Sequence, residues 1–169
     1  QARRTKHDHC GRCNPAHFLT EEHTCQACPI GYSCDGSATQ TRCLPGYFAD
    51  GGESQCHACG GDDKHSQHTA EQCSTCAVGS FTSGGTAHTR TTCLSCPPGY
   101  SCNGTSKQVI CNGGHFSRGG DDECHPCGAS NLYSVAGAAS CSMCGAGHYT
   151  TGGTATTRTA CVPYEGQCV

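Results

Sequence analysis

The polar and apolar positions of this 169-residue chain hold neither amphipathic period for long. No window sustains apolar residues at the 3.6-residue spacing of a helix, which predicts little helix. What recurs is shorter: a Cys-x-x-Cys, a turn of small residues, one aromatic, a Gly-rich turn, a polar run and the next cysteine. "CLPGYFADGGESQC" at 43–56 shows the plan best. Pro45-Gly46 suits the centre of a type II turn, whose second central residue needs a positive φ. Asp50-Gly51-Gly52 then reads as the hairpin turn between two very short strands. The plan returns in "CAVGSFTSGGTAHTRTTC", "CNGGHFSRGGDDEC" and "CGAGHYTTGGTATTRTAC", and in the shortened "CNPAHFLTEEHTC" near the start.

These elements sit inside a longer repeat. Cys25, Cys28, Cys34, Cys43, Cys56, Cys59, Cys73, Cys76 and Cys93 map, 68 positions on, to Cys93, Cys96, Cys102, Cys111, Cys124, Cys127, Cys141, Cys144 and Cys161. About 30 of the 68 positions are identical between the copies. Duplication predicts an elongated tandem array whose units contact mainly their neighbours. It divides the chain into an N-terminal tail and partial repeat (1–24), repeats over 25–92 and 93–160, and a C-terminal linker (161–169).

Composition says what holds such an array together. Leu, Ile, Val, Phe and Met supply only 16 residues, about half the roughly 20 % expected of a globular core. Disorder is the usual result of so little apolar material, but it normally accompanies a high net charge, and here the formal charge is −3. The 20 cysteines resolve the conflict. They exceed the share of about 8–10 % that marks a disulfide scaffold, so the fold class expected is small and disulfide-rich, a tandem array of short stapled β-hairpins.

Such a scaffold needs an oxidising compartment, which points to a secreted or cell-surface chain. The chain opens at Gln1 without an apolar signal segment, and "VPYEGQCV" is neither a membrane span nor a lipid-anchor tail. This reads as a mature or excised fragment with no membrane insertion. Its near-neutral balance gives no footprint for nucleic acid, and the one basic run, "QARRTK" at 1–6, reads as a solvated terminus.

Seven CxxC pairs carry most of the chemical information: 10/13, 25/28, 56/59, 73/76, 93/96, 124/127 and 141/144. Redox catalysis uses a single low-pKa pair at a helix start, and nothing here resembles the βαβ pattern it needs. A structural zinc site fits better, because Cys56, Cys59, Cys73 and Cys76 have the spacing C-x2-C-x13-C-x2-C. Against zinc, pair 73/76 would serve two tetrads, and Cys34, Cys43, Cys102 and Cys111 form no further CxxC pairs. The third reading joins the second cysteine of each CxxC to the first of the next. It gives Cys13–Cys25, Cys43–Cys56, Cys59–Cys73, Cys76–Cys93, Cys111–Cys124, Cys127–Cys141 and Cys144–Cys161, with Cys28–Cys34 and Cys96–Cys102 closing the "CPxGYSC" loops. Each 12–17-residue loop contributes roughly 3 kcal/mol in the chain-entropy model. Cys28–Cys43, with Cys34 bridging elsewhere, is the alternative. Cys10 and Cys168 are left without partners, and an intermolecular disulfide from each is favoured over a bond between them.

The motifs "CxxCPxGYSC", "CxPGYFxxGGxxxCxxC" and "CxxGxFTxGGTxxTRTxCxxC" resemble the ephrin-receptor-like cysteine-rich repeats, relatives of the tumour necrosis factor receptor and EGF-like modules. The chain is also similar to the cysteine-periodic surface antigens of protists. The resemblance covers about 13–161 and implies disulfide-stapled β-hairpins strung into a rod, with no catalytic residues. The CxxCxxC triplet of true tumour necrosis factor receptor modules is missing.

Other residues offer narrower readings. Asn103-Gly104-Thr105 is a glycosylation sequon, so glycans are expected on Asn103, whereas the first copy has Asp35 there. "TAHTRTTC" and "TATTRTAC" alternate as exposed edge strands do, with Thr86, His88, Arg90 and Thr92 on one face. Of the 11 histidines, His57 and His125 within CHxC and the "HDHC" at 7–10 invite a metal, but with the thiols bridged they read as surface residues. Asp62-Asp63 and Asp121-Asp122-Glu123 read as solvated turns rather than calcium loops. No nucleophile elbow, phosphate loop or HExxH is present, so neither catalysis nor a cofactor is expected. The function expected is a non-enzymatic extracellular structural protein, part of a coat, appendage or filament that self-associates through end-to-end and lateral contacts. A ligand-binding receptor ectodomain and a zinc-binding module are the alternatives.

Overall fold

A computed structural model describes residues 11–165. Cys10 and Cys168, with the intermolecular bonds expected of them, lie outside the described residues. Among those described there is no α-helix, and eighteen strands of two to four residues form nine two-stranded hairpins. In chain order they are β1 (His17–Leu19) with β2 (Cys25–Ala27), β3 (Tyr32–Cys34) with β4 (Gln40–Arg42), β5 (Tyr47–Phe48) with β6 (His57–Ala58), and β7 (Lys64–His65) with β8 (Ser74–Thr75). There follow β9 (Ser80–Ser83) with β10 (Thr92–Ser95), β11 (Tyr100–Cys102) with β12 (Gln108–Ile110), and β13 (His115–Phe116) with β14 (His125–Pro126). Last come β15 (Leu132–Tyr133) with β16 (Ser142–Met143), and β17 (His148–Thr151) with β18 (Ala160–Pro163).

Nine disulfides staple these hairpins. They are Cys13–Cys25, Cys28–Cys34, Cys43–Cys56, Cys59–Cys73, Cys76–Cys93, Cys96–Cys102, Cys111–Cys124, Cys127–Cys141 and Cys144–Cys161. Cys34 bonds Cys28, so the alternative Cys28–Cys43 bridge is not formed. The sulfurs also form the interior. Cys34, Cys43, Cys102 and Cys111 are fully buried, alongside the small side chains of Ala49, Thr82 and Ser117. Ser66 Oγ donates to Tyr47 O (2.9 Å), and its equivalent Ser134 Oγ to His115 O (2.8 Å), which satisfies these buried hydroxyls on the backbone.

The turn expected at Pro45-Gly46 is present: Tyr47 N–H donates to Leu44 O (3.1 Å) and Gly46 has φ 84°. Gly46 is needed for a second reason. A Cβ there would stand 2.3 Å from Thr89 O, and one on its equivalent Gly114 would stand 2.2 Å from Thr157 O. The Asp50-Gly51-Gly52 turn is wider than expected. Residues 49–56 separate β5 from β6, because Gly52 N–H leaves its own hairpin and donates to Cys28 O (2.7 Å).

Residues up to Ser74 together with 84–92 make one compact unit, and 75–83 together with 93 onwards make a second. In the first, Gly31 packs on Thr69 and Gly46 on Thr89. In the second, Gly79 packs on Gly120, Gly99 on Gly137 and Gly114 on Thr157. In all five cases the glycine that opens one hairpin meets the loop of the hairpin after next. Gly46→Ala is therefore expected to cost at least about 2 kcal/mol, from left-handed backbone plus overlap. Gly52→Ala, whose Cβ meets nothing within 4 Å, should cost about 1 kcal/mol from its backbone alone. Denaturant unfolding of the oxidised chains measures the difference.

Candidate functional site

The "TAHTRTTC" run is not an edge strand. Of the four residues placed on one strand face, only Thr92 lies in a strand, β10; Arg90 makes a single bridge to His65, and 86–89 form a turn. Threonine hydroxyls hold that turn. Thr86 and Thr89 share a hydroxyl–hydroxyl bond (2.9 Å), Thr86 N–H donates to Thr89 Oγ1 (3.1 Å), and Thr89 N–H donates to Thr86 O (3.1 Å). Gly84 and Gly85, both at positive φ, lead the chain into it. Thr154 and Thr157 repeat the arrangement in the second copy (2.8 Å). Local side-chain bonds to the backbone here outcompete the ladder that alternation suggested.

The arginine after this turn is partnered differently in the two copies. Arg90 bonds Asp62 through Nε (2.9 Å) and Nη2 (2.8 Å), and His88 Nδ1 lies 3.1 Å from Gly60 O. Asp62 is thus a salt-bridge partner rather than a free carboxylate. The second copy has Ser130 in place of Asp62, and Arg158 Nε is buried without a hydrogen-bond partner. Ser130→Asp should supply the missing carboxylate and stabilise the chain by about 0.5–1 kcal/mol. A Ser130→Asp/Arg158→Ala double-mutant cycle measures the coupling.

The histidines inside CHxC lie on their hairpins' second strands. His57 pairs with Glu53 (3.1 Å) and lies 5.8 Å from the Phe48 ring; His125 pairs with Asp121 (3.6 Å) and lies 5.9 Å from Phe116. Each cross-strand aromatic contact braces a two-residue ladder. The "HDHC" residues 7–10 lie outside the described residues. With all 18 described cysteines bridged, the zinc spacing at 56–76 has no thiolate to offer a metal.

Two carboxylates are held as anions. Asp121 sits below the ordinary range, chiefly because Ser117 Oγ donates to it (2.9 Å), helped by Arg118 N–H (3.0 Å) and His125 against an opposing desolvation. Asp35 is lowered first by Ser37, whose backbone N–H donates to it (3.0 Å), and further by Arg12. A depressed folded pKa stabilises above the unfolded value of 3.8 and is lost as pH falls through the folded one. Asp121→Asn is expected to be less stable than the parent at pH 7, and the gap should close as pH falls below that range. Urea midpoints at a series of pH values check it.

Asn103 is exposed, and its Oδ1 accepts from Thr105 Oγ1 (2.7 Å) and Thr105 N–H (3.3 Å), an Asx turn with the sequon facing outward. No helix among the described residues is long and apolar enough to cross a membrane. No protein-family profile matches the chain, and no curated protein matches it. One surface was missed by sequence reasoning, the outer edge of β17; its only signal is that Gly147 matches Gly79 in the repeat.

Proposed function

We propose that the chain is a non-enzymatic structural segment of an extracellular coat, appendage or filament, joined to its neighbours by end-to-end and lateral contacts. One observation carries this reading: among the described residues, nine disulfides on nine minimal hairpins make an array whose interior is mainly sulfur and small side chains. An array so cross-linked suits an oxidising, mechanically exposed setting. Scattered apolar side chains support the lateral contacts, among them Leu44, Val78, Val109 and Met143, all more than half exposed. Asn103 carries a glycan that the first copy, with Asp35, lacks.

Electron microscopy of native material, with and without reductant, tests the assembly. Ordered assemblies that come apart on reduction are expected, and isolated monomers under both conditions would overturn the reading. The glycan has its own check. Material secreted from a eukaryotic host should lose mass with a peptide N-glycosidase, and Asn103→Gln should abolish the loss.

A further inference from the structure

Three hairpins of the chain are built alike: β1–β2, β9–β10 and β17–β18. In the first, Cys13 N–H donates to Gly36 O (2.7 Å), Ala16 N–H to Cys34 O (2.9 Å) and Leu19 N–H to Ser37 O (3.0 Å). In the second, Gly79 N–H donates to Cys102 O (2.8 Å), Thr82 N–H to Thr105 O (3.2 Å), and Gly104 N–H to Ser80 O (2.9 Å). Both times the partner is a Cys-Asx-Gly-Ser/Thr segment, 34–37 or 102–105, laid along the outer edge of the hairpin's first strand. Its glycine is essential. Gly36 and Gly104 have φ 93° and 90°, and a Cβ on them would stand 2.2 Å from Cys13 O and 2.6 Å from Cys76 O.

The third hairpin has the same edge without an occupant among the described residues. Gly147, His148 and Thr150 stand where Gly79, Ser80 and Thr82 stand, yet no described Cys-Asx-Gly-Ser/Thr segment lies along them. Gly79 is buried and Gly147 exposed; Thr82 is 2 % exposed and Thr150 half-buried. A Cβ on Gly79 would stand 2.2 Å from Gly120 O, whereas one on Gly147 meets nothing within 4 Å. The hairpin itself is complete. Tyr164 N–H donates to Gly147 O (2.9 Å) as Cys96 N–H does to Gly79 O (2.9 Å), and β17 and β18 pair over four residues. Beside the bare edge, the Tyr149 and Tyr164 rings lie 5.1 Å apart, 43 % and 64 % exposed.

We propose that the outer edge of β17 is a docking site for a further unit of this same repeat. The unit adds its Cys-Asx-Gly-Ser/Thr turn to Gly147, His148 and Thr150 through main-chain hydrogen bonds, with its glycine against the carbonyl of Cys144. This is strand-edge augmentation, in which backbone groups supply the attachment. The close approach supplies the selectivity, since any side chain at the glycine collides with the carbonyl. A second copy of this chain offers no such turn, because 34–37 is held by 13–19 and 102–105 by 79–82. The occupant is therefore a unit outside these residues. The inference deepens the end-to-end contact proposed above and rests on that reading for its setting.

Fusing residues 96–169 directly after Pro163, which matches Ser95 in the repeat, appends such a unit in register and leaves β17 and β18 intact. Hydrogen exchange at the Gly147 and Thr150 amides is expected to slow about tenfold or more, towards the rates of Gly79 and Thr82. Unchanged rates with every appended disulfide formed would overturn the inference. Should the appended unit fail to oxidise, the 169-residue chain decides. There Gly79→Ala should lower the unfolding midpoint by several degrees more than Gly147→Ala, and equal losses would overturn the vacancy on which the inference stands. Microscopy bears only on the coat reading, so a monomer with a protected Gly147 keeps this inference where no filament forms.

Discussion

Covalent sulfur–sulfur links stand where other domains of this length have a hydrophobic core. A two-stranded hairpin is marginal in water by itself, and the strands here run to four residues at most. Seven of the bridges close loops with separations of 12 to 17 residues. Each removes disorder from the unfolded chain worth roughly 3 kcal/mol. The burial term set against it is small, because among the described residues no Leu, Ile, Val, Phe or Met side chain is buried. The consequence is compartmental as well as structural, because a reducing environment would leave these strands with little to hold them together.

Bridges alone would give a string of independent loops. What joins the loops is main chain against main chain, with the glycine opening one hairpin seated on a carbonyl from the loop of the hairpin after next. Gly31 on Thr69 and Gly99 on Gly137 are the same contact in the two copies, as are Gly46 on Thr89 and Gly114 on Thr157. Skipping one hairpin each time interleaves the contacts. Loosening one hairpin within a unit therefore disturbs others that are not its sequence neighbours.

Much of this was legible in the cysteine spacing, since a bridge between successive CxxC pairs leaves room for one short hairpin and little else. The turn at Pro45-Gly46 was legible because a type II turn requires that chemistry. The threonine runs misled for a physical reason: alternation signals a strand only where the ladder has no competitor, and Thr86 and Thr89 bond each other and the local backbone instead. The Gly51-Gly52 pair misled because its amide serves a neighbouring hairpin, a contact no local pattern reports. The bare edge at β17 was invisible for the deeper reason that backbone N–H and C=O groups are common to every residue. Only the geometry of its two occupied counterparts gives it meaning.

The differences between the copies follow from the same economy. Where the second copy departs from the first, it does so outside the bridges and the docked glycines. Asn103 replaces Asp35, Ser130 replaces Asp62, Tyr149 replaces Phe81, and Val109-Ile110 replace Thr41-Arg42. A junction made of main chain demands a glycine at the point of contact and a cysteine at the staple, and almost nothing of the side chains around them. The side chains around them are then free to form an ion pair in one copy and to leave a buried, unpartnered guanidinium nitrogen in the next. A protein built this way can alter its surface hairpin by hairpin without altering how hairpins join.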